Sequence, residues 1–141
     1  MLKKTFLYGL WIVSLVLILM GIPSVSLFSA VSLGSAVPDQ ITLTLNDDPR
    51  TTQTITWRMD FDAENGQVQY VEHNETKPFP YDVRTLTAKV EKISTNAGKM
   101  SMHSATLTGL KPGTRYYYRV GYGNVWSEWY TFVTVSVAKS F

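Results

Sequence analysis

The stretch Leu110-Lys111-Pro112-Gly113-Thr114-Arg115-Tyr116-Tyr117-Tyr118-Arg119-Val120 constrains the fold of this chain more than any other. Pro112-Gly113 imposes a turn. Beyond it the residues alternate, so Tyr116, Tyr118 and Val120 share one face of a strand, and Arg115, Tyr117 and Arg119 share the other. A tyrosine just past such a turn can bury its ring and hydrogen-bond its hydroxyl to the backbone of the corner it has left. That is the tyrosine-corner device of Greek-key β-sandwiches. The Leu-x-Pro-x-Thr-x-Tyr spacing therefore predicts that Leu110, Tyr116 and Tyr118 enter a core between two sheets.

The remaining sequence has the same character. Residues 40–45 alternate, with Ile41, Leu43 and Leu45 on one face, and the Asn46-Asp47-Asp48-Pro49 turn follows. Residues 53–59 alternate again, with Ile55, Trp57 and Met59 inward and Thr54, Thr56 and Arg58 outward. Glu64-Asn65-Gly66 reads as a hairpin turn, and residues 67–72 as a third strand with Val68 and Tyr70 on one face. Residues 73–84 are polar, carry Pro78 and Pro80, and read as a loop. Residues 85–93 form a weaker strand, an edge with Lys89 and Lys92 outward. After the turn at 95–98 come strands at 104–107, 114–121 and 129–135, the last two joined by Gly121-Tyr122-Gly123-Asn124. About seven antiparallel strands in about 100 residues predict an all-β, immunoglobulin- or fibronectin type III-like sandwich. Its expected core contains Trp57, Tyr70, Leu110, Tyr116, Tyr118 and Phe132.

Ahead of this lies a segment of a different kind. Met1-Leu2-Lys3-Lys4 is basic, Phe6 to Ile22 is an almost unbroken apolar run, and Pro23 breaks any helix there. Gly34-Ser35-Ala36 offers a small-x-small cleavage site before Val37. Residues 1–36 are expected to be a hydrophobic signal helix, cleaved as a signal peptide or kept as a signal anchor. The run of 17 residues is at the lower edge of what spans a bilayer. Either way the positive charge stays inside and the rest of the chain faces outside, secreted or membrane-anchored. Contact with a membrane is expected through this segment alone.

Charge and chemistry narrow the function. Lys3 and Lys4 are the charged residues of the first 36 positions, which leaves eleven basic against eleven acidic residues in the rest. A balanced domain gives no electrostatic ground for binding nucleic acid. There is no cysteine, hence no disulfide, thiolate nucleophile or lipidated-Cys anchor. The two histidines, His73 and His103, stand 30 residues apart and read as surface or turn residues. A two-metal hydrolase needs several His and Asp ligands converging on metals a few ångströms apart. Asp60, Asp62 and Glu64 lack the full calcium-loop pattern and read as a solvated turn. Gly121-x-Gly123 lacks the helix that would make a phosphate loop. No catalytic, cofactor or metal residue is assigned. Asn74-Glu75-Thr76 matches a glycosylation acceptor in a loop.

Trp126-Ser127-Glu128-Trp129 is the strongest binding feature. It faintly resembles the WSxWS box of cytokine-receptor domains, with Tyr130 where the second Ser belongs. Two arrangements are open: a cation–π ladder of Arg115 and Arg119 against Trp126 or Trp129, or one Trp in the core edge and the other over the sandwich end. How often aromatics simply fill a sandwich favours the second. Tyr117, Arg119, Trp126 and Trp129 are the candidate interface residues.

The ordered set Val37-Pro38-Asp39-Gln40-Ile41, Thr51 to Arg58, Val68-Gln69-Tyr70, His103 to Leu110, Tyr116-Tyr117-Tyr118 and Trp126 to Thr134 resembles the N-terminal domain of purple acid phosphatases, within the fibronectin type III-like superfamily. The resemblance runs over about residues 37–135. It implies a non-catalytic, extracytoplasmic accessory domain at 37–135 and a linker beginning at 136–141. It implies as partner a metallophosphatase catalytic domain, absent from this chain, whose centre pairs iron with zinc, manganese or iron. The family activity is acid phosphatase, and none of its catalytic motifs has a counterpart here. The alternative is a free-standing extracellular fibronectin type III-like module that binds protein or carbohydrate through exposed aromatics.

Overall fold

The computed structural model describes residues 32–138. Nearly all of the expected signal helix lies outside the described residues. No helix among those described is long and apolar enough to cross a membrane.

Nine strands form: β1 (Asp39–Thr44), β2 (Gln53–Met59), β3 (Gln67–Glu72), β4 (Arg84–Thr87), β5 (Lys89–Thr95), β6 (Gly98–Leu107), β7 (Arg115–Tyr122), β8 (Val125–Trp126) and β9 (Tyr130–Val133). They make two antiparallel sheets. One runs β1-β2-β6-β5, the other β4-β3-β7-β8, with β9 also pairing β7. The expected seven become nine because one expected strand is divided and one short strand is added. The 85–93 strand changes sheets at Ala88: β4 pairs β3 in one sheet, and β5 pairs β6 in the other. At the crossing, Ala88 N–H donates to Gly66 O at 2.8 Å. The expected 129–135 strand is β9, and the two-residue β8 forms ahead of it, outside any expected strand. β6 starts six residues earlier than the sequence suggests, directly after the expected 95–98 turn.

The core is built by alternation. β2 contributes Ile55, Trp57 and Met59; β6 contributes Ala105 and Leu107; β7 contributes Tyr116, Tyr118 and Val120; Val68, Leu110 and Phe132 close it. Tyr70 packs against this cluster, half-buried. Tyr116 stacks on Phe132 with centroids 5.4 Å apart. Its hydroxyl accepts the Lys111 N–H at 3.0 Å, so the tyrosine corner pins the β6–β7 crossover to the strand that follows it. Thr134 closes the same corner, its hydroxyl donating to Lys111 O and accepting from Thr114 N–H.

Three expectations change. Asn65-Gly66 does not close a hairpin, because β2 and β3 belong to different sheets. Gly66 instead makes room: a Cβ there would stand 2.1 Å from His103 Nδ1. His103 is not a surface residue. Because β6 is long, it alternates inward with Ser101 and Ala105, is fully buried, and stacks on Trp57 at 5.3 Å. Finally, Leu43 and Leu45 do not enter the core. Leu43 lies opposite Ile55 and shares its face, but β1 is an edge strand, bulged between Asp39 and Thr42 with Gln40 at φ 48°, and no described residue covers that side.

Residues 32–35, on the leader side of the expected cleavage point, are bonded to the sandwich. Leu33 N–H donates to Lys99 O, and Asp60 N–H to Ser35 O. Trp57→Ala empties the centre of the core, and should cost about 3–5 kcal/mol in urea unfolding.

Candidate functional site

The outer face of the β4-β3-β7-β8 sheet carries a row of stacked side chains. Arg119 points outward from β7, and its guanidinium lies 4.7 Å from the ring centroids of both Trp126 and Trp129. Its Nε donates to Gln69 Oε1 on the neighbouring β3 at 2.8 Å. The local chain explains how two tryptophans three residues apart reach one arginine. The Trp126 ring lies over Gly121, where a Cβ would come within 2.7 Å of it. Ser127 then bonds twice to Val120: its N–H donates to Val120 O, and its hydroxyl accepts the Val120 N–H. Past this point Trp129 also comes within reach of Arg119.

The expectation that one tryptophan fills the core edge and the other caps the end is therefore replaced by a double cation–π contact on Arg119. Arg115 lies at the far end of β7, opposite Val133, and takes no part. The loop between β3 and β4 extends the row. Phe79 packs 4.6 Å from Tyr117 and 5.0 Å from Trp129, and His73 meets Tyr117 edge-on at 5.2 Å. Tyr117, Arg119, Trp126 and Trp129 are all half-buried, while Phe79 is 45% exposed. Phe79, His73 and Gln69 do not stand out as site residues in the sequence. The one signal for them is an aromatic residue in an otherwise polar, proline-bearing loop.

The titratable groups do not assemble into a reaction centre. Ser101 Oγ donates to Asp60 O at 2.6 Å, so it accepts from His103 Nε2–H at 2.9 Å, and Nδ1 is left a bare acceptor without a partner. This Ser–His pair is sealed in the core without a carboxylate behind it, unlike a hydrolytic triad. Burial pushes the His103 pKa below its ordinary 6.5. Asp60 accepts from Ser32 Oγ, and Glu64 pairs with Lys92 at 2.9 Å, which lowers the Glu64 pKa. Arg50 and Arg58 likewise hold Asp48 and Asp39 below the usual carboxylate range. Among the described residues no three His, Cys, Asp or Glu side chains are placed to hold a metal ion. These residues do not fit a two-metal centre. Asn74 is exposed, and its Oδ1 accepts from both the N–H and the hydroxyl of Thr76.

Two Greek-key sheets, a tyrosine corner and no converging ligand set among the described residues define a fibronectin type III-like sandwich domain. Solved structures resemble it in part. A chain of astrotactin-2, a vertebrate membrane protein, superposes with TM-score 0.50 at 12% identity, over 73% of this chain and 23% of that one. A computationally redesigned β-sandwich gives 0.46 at 27% identity, over 72% and 96%. The FN1–FN3 domains of chicken CNTN1 give 0.47 at 16%, over 72% and 31%. No curated protein matches. The family described as purple acid phosphatase, N-terminal domain, matches residues 38–134. The chain belongs to that family.

Arg119→Ala should lose both cation–π contacts, cost about 1–2 kcal/mol in urea unfolding, and shift tryptophan emission. Arg119→Lys keeps the charge without the planar stack and should recover part of the loss. The buried His103 sets a pH dependence. The unfolded chain binds a proton near pH 6.5 that the folded chain resists, so this contribution is complete above that pH and declines as pH falls below it. Urea midpoints at pH 7 and 5 should differ less in His103→Gln than in wild type.

Proposed function

We propose that this chain is a non-catalytic accessory sandwich, exported from the cytoplasm, that serves a metallophosphatase catalytic domain lying outside these 141 residues. The observation that carries this reading is the family match over residues 38–134, which spans both sheets and brings no metal-binding cluster with it among the described residues. The basic Lys3-Lys4 and the apolar run from Phe6 to Ile22 support export. The accessory role fits better than a free-standing carbohydrate module. Stacking on a sugar needs free ring faces, whereas Trp126 and Trp129 both lie against Arg119, and Phe79 covers part of Tyr117 and Trp129. What the row does offer is a rigid, half-buried aromatic–arginine surface, the composition enriched in protein contacts. We assign Tyr117, Arg119, Trp126 and Trp129 to the seat of that partner domain.

The chain alone should hydrolyse no phosphomonoester. Assay it with a generic aryl phosphate and added iron, zinc or manganese. Metal-dependent turnover above a mock preparation, lost on chelation, would overturn the accessory reading.

A further inference from the structure

The two open sides of the sandwich are unlike. On one side the chain crosses between sheets at Ala88, and the edge strand β5 carries Lys89, Glu91 and Lys92, charges that discourage edge-to-edge pairing. On the other side, edge strand β1 faces β9 across a mouth that no described residue covers. Leu43, Leu45 and Tyr130 are 39%, 63% and 43% exposed there. Leu43 and Tyr130 lie opposite the core residues Ile55 and Tyr118, so they point toward the interior and are exposed because the mouth is open. A groove of about 380 Å³ lined by Pro38, Asp39, Gln40, Ile41, Tyr118 and Tyr130 runs into this mouth. From Gln40 to Leu45 there is no charged residue and no proline.

We propose that β1 is a homodimer edge: it pairs antiparallel with β1 of a second copy about a two-fold axis through Leu43. The occupant follows from the sequence of the edge itself. A two-fold interface must be self-complementary, and Ile41-Thr42-Leu43-Thr44-Leu45 is palindromic in pattern. Reversed about Leu43, it sets Thr42 against Thr44 and Ile41 against Leu45 of the second copy, threonines on the outer face and aliphatics over the mouth. A foreign strand would require no such symmetry. The charges at the two ends permit the approach. Asp39 is held by Arg58 at 2.8 Å, and Asp48 by Arg50 at 2.9 Å. The surplus carboxylate, Asp47, then meets the neutral Asp39–Arg58 pair of the other copy. Pairing would extend the four-stranded sheet to eight strands and bring the two mouths together, covering Leu43 and Leu45.

The test uses the chain from Ser32 to Phe141, which holds both sheets and the whole core described above. Sedimentation equilibrium from micromolar to millimolar concentration should show a monomer–dimer equilibrium. Thr44 is exposed and on the outer face, so Thr44→Lys should leave the circular dichroism and urea midpoint unchanged, yet weaken the dimer about tenfold or more. The chain has no cysteine, so a single introduced one reports its own neighbour. Leu43→Cys should give a disulfide-linked dimer under mild oxidation, and Lys92→Cys on the opposite edge should not. A monomer at every concentration overturns the proposal and leaves the edge to a strand of another protein or to a following domain. A dimer indifferent to Thr44→Lys, or equal linking at Lys92→Cys, overturns it as well.

Discussion

The stack of Trp57 on His103 is the constraint around which both sheets are arranged. The two residues sit opposite each other on β2 and β6 and fill the centre of one sheet's inner face. Burial there disfavours a charged imidazole, and its Nε2 is satisfied by Ser101 two residues earlier on the same strand. Its other nitrogen fixes the identity of a residue in the chain's passage to the second sheet, because Gly66 lies against it with no space for a side chain. Ala88 in turn donates to the carbonyl of Gly66, which ties the opposite crossing to the same point. The site is not fully satisfied: the Trp57 indole N–H and His103 Nδ1 are both buried without partners. A buried polar atom left in this way costs about 1–3 kcal/mol. The surrounding apolar packing has to offset that cost.

Much of the fold could be read from local pattern, and its limits have physical causes. β2 and β7 alternate cleanly because each has one face on the core, and the Pro112-Gly113 turn fixes where β7 starts. The tyrosine corner follows from that spacing, and the Lys111–Tyr116 bond realises it. Asn65-Gly66 misleads because the dipeptide reports a backbone preference, whereas this glycine is required by the size of a distant side chain. The division at Ala88 leaves no mark, since residues 84–95 stay extended while their partners change. The exposure of Leu43 and Leu45 is hidden for a similar reason: alternation gives the direction of a side chain, not whether anything lies across from it.

The outer-face row was partly legible. Outward parity placed Tyr117 and Arg119 together, and the two tryptophans were near enough in sequence to reach them. What the sequence could not reveal is the pair of bonds from Ser127 to Val120 across the sheet. Nor does it show that a loop separated from β7 by dozens of residues lays Phe79 on the row. The row is thus assembled from β3, β7, β8, the approach to β9 and the β3–β4 loop. Its arginine is held by three contacts, to Trp126, Trp129 and Gln69.

The crossing at Ala88 also gives the sandwich a mechanical direction. On that side the two sheets are continuous through the backbone, and separating them there means breaking the β4 or β5 ladder. On the other side they are joined by side-chain packing and by loops such as the one that brings Pro49 O to Val135 N–H. The strands nearest the two ends of the described chain, β1 and β9, both lie on that second side. A pull on the ends therefore loads the hinge-free edge first. The sandwich would yield by peeling β1 and β9 outward, while the β3–β4 and β5–β6 pairs around Ala88 hold longest.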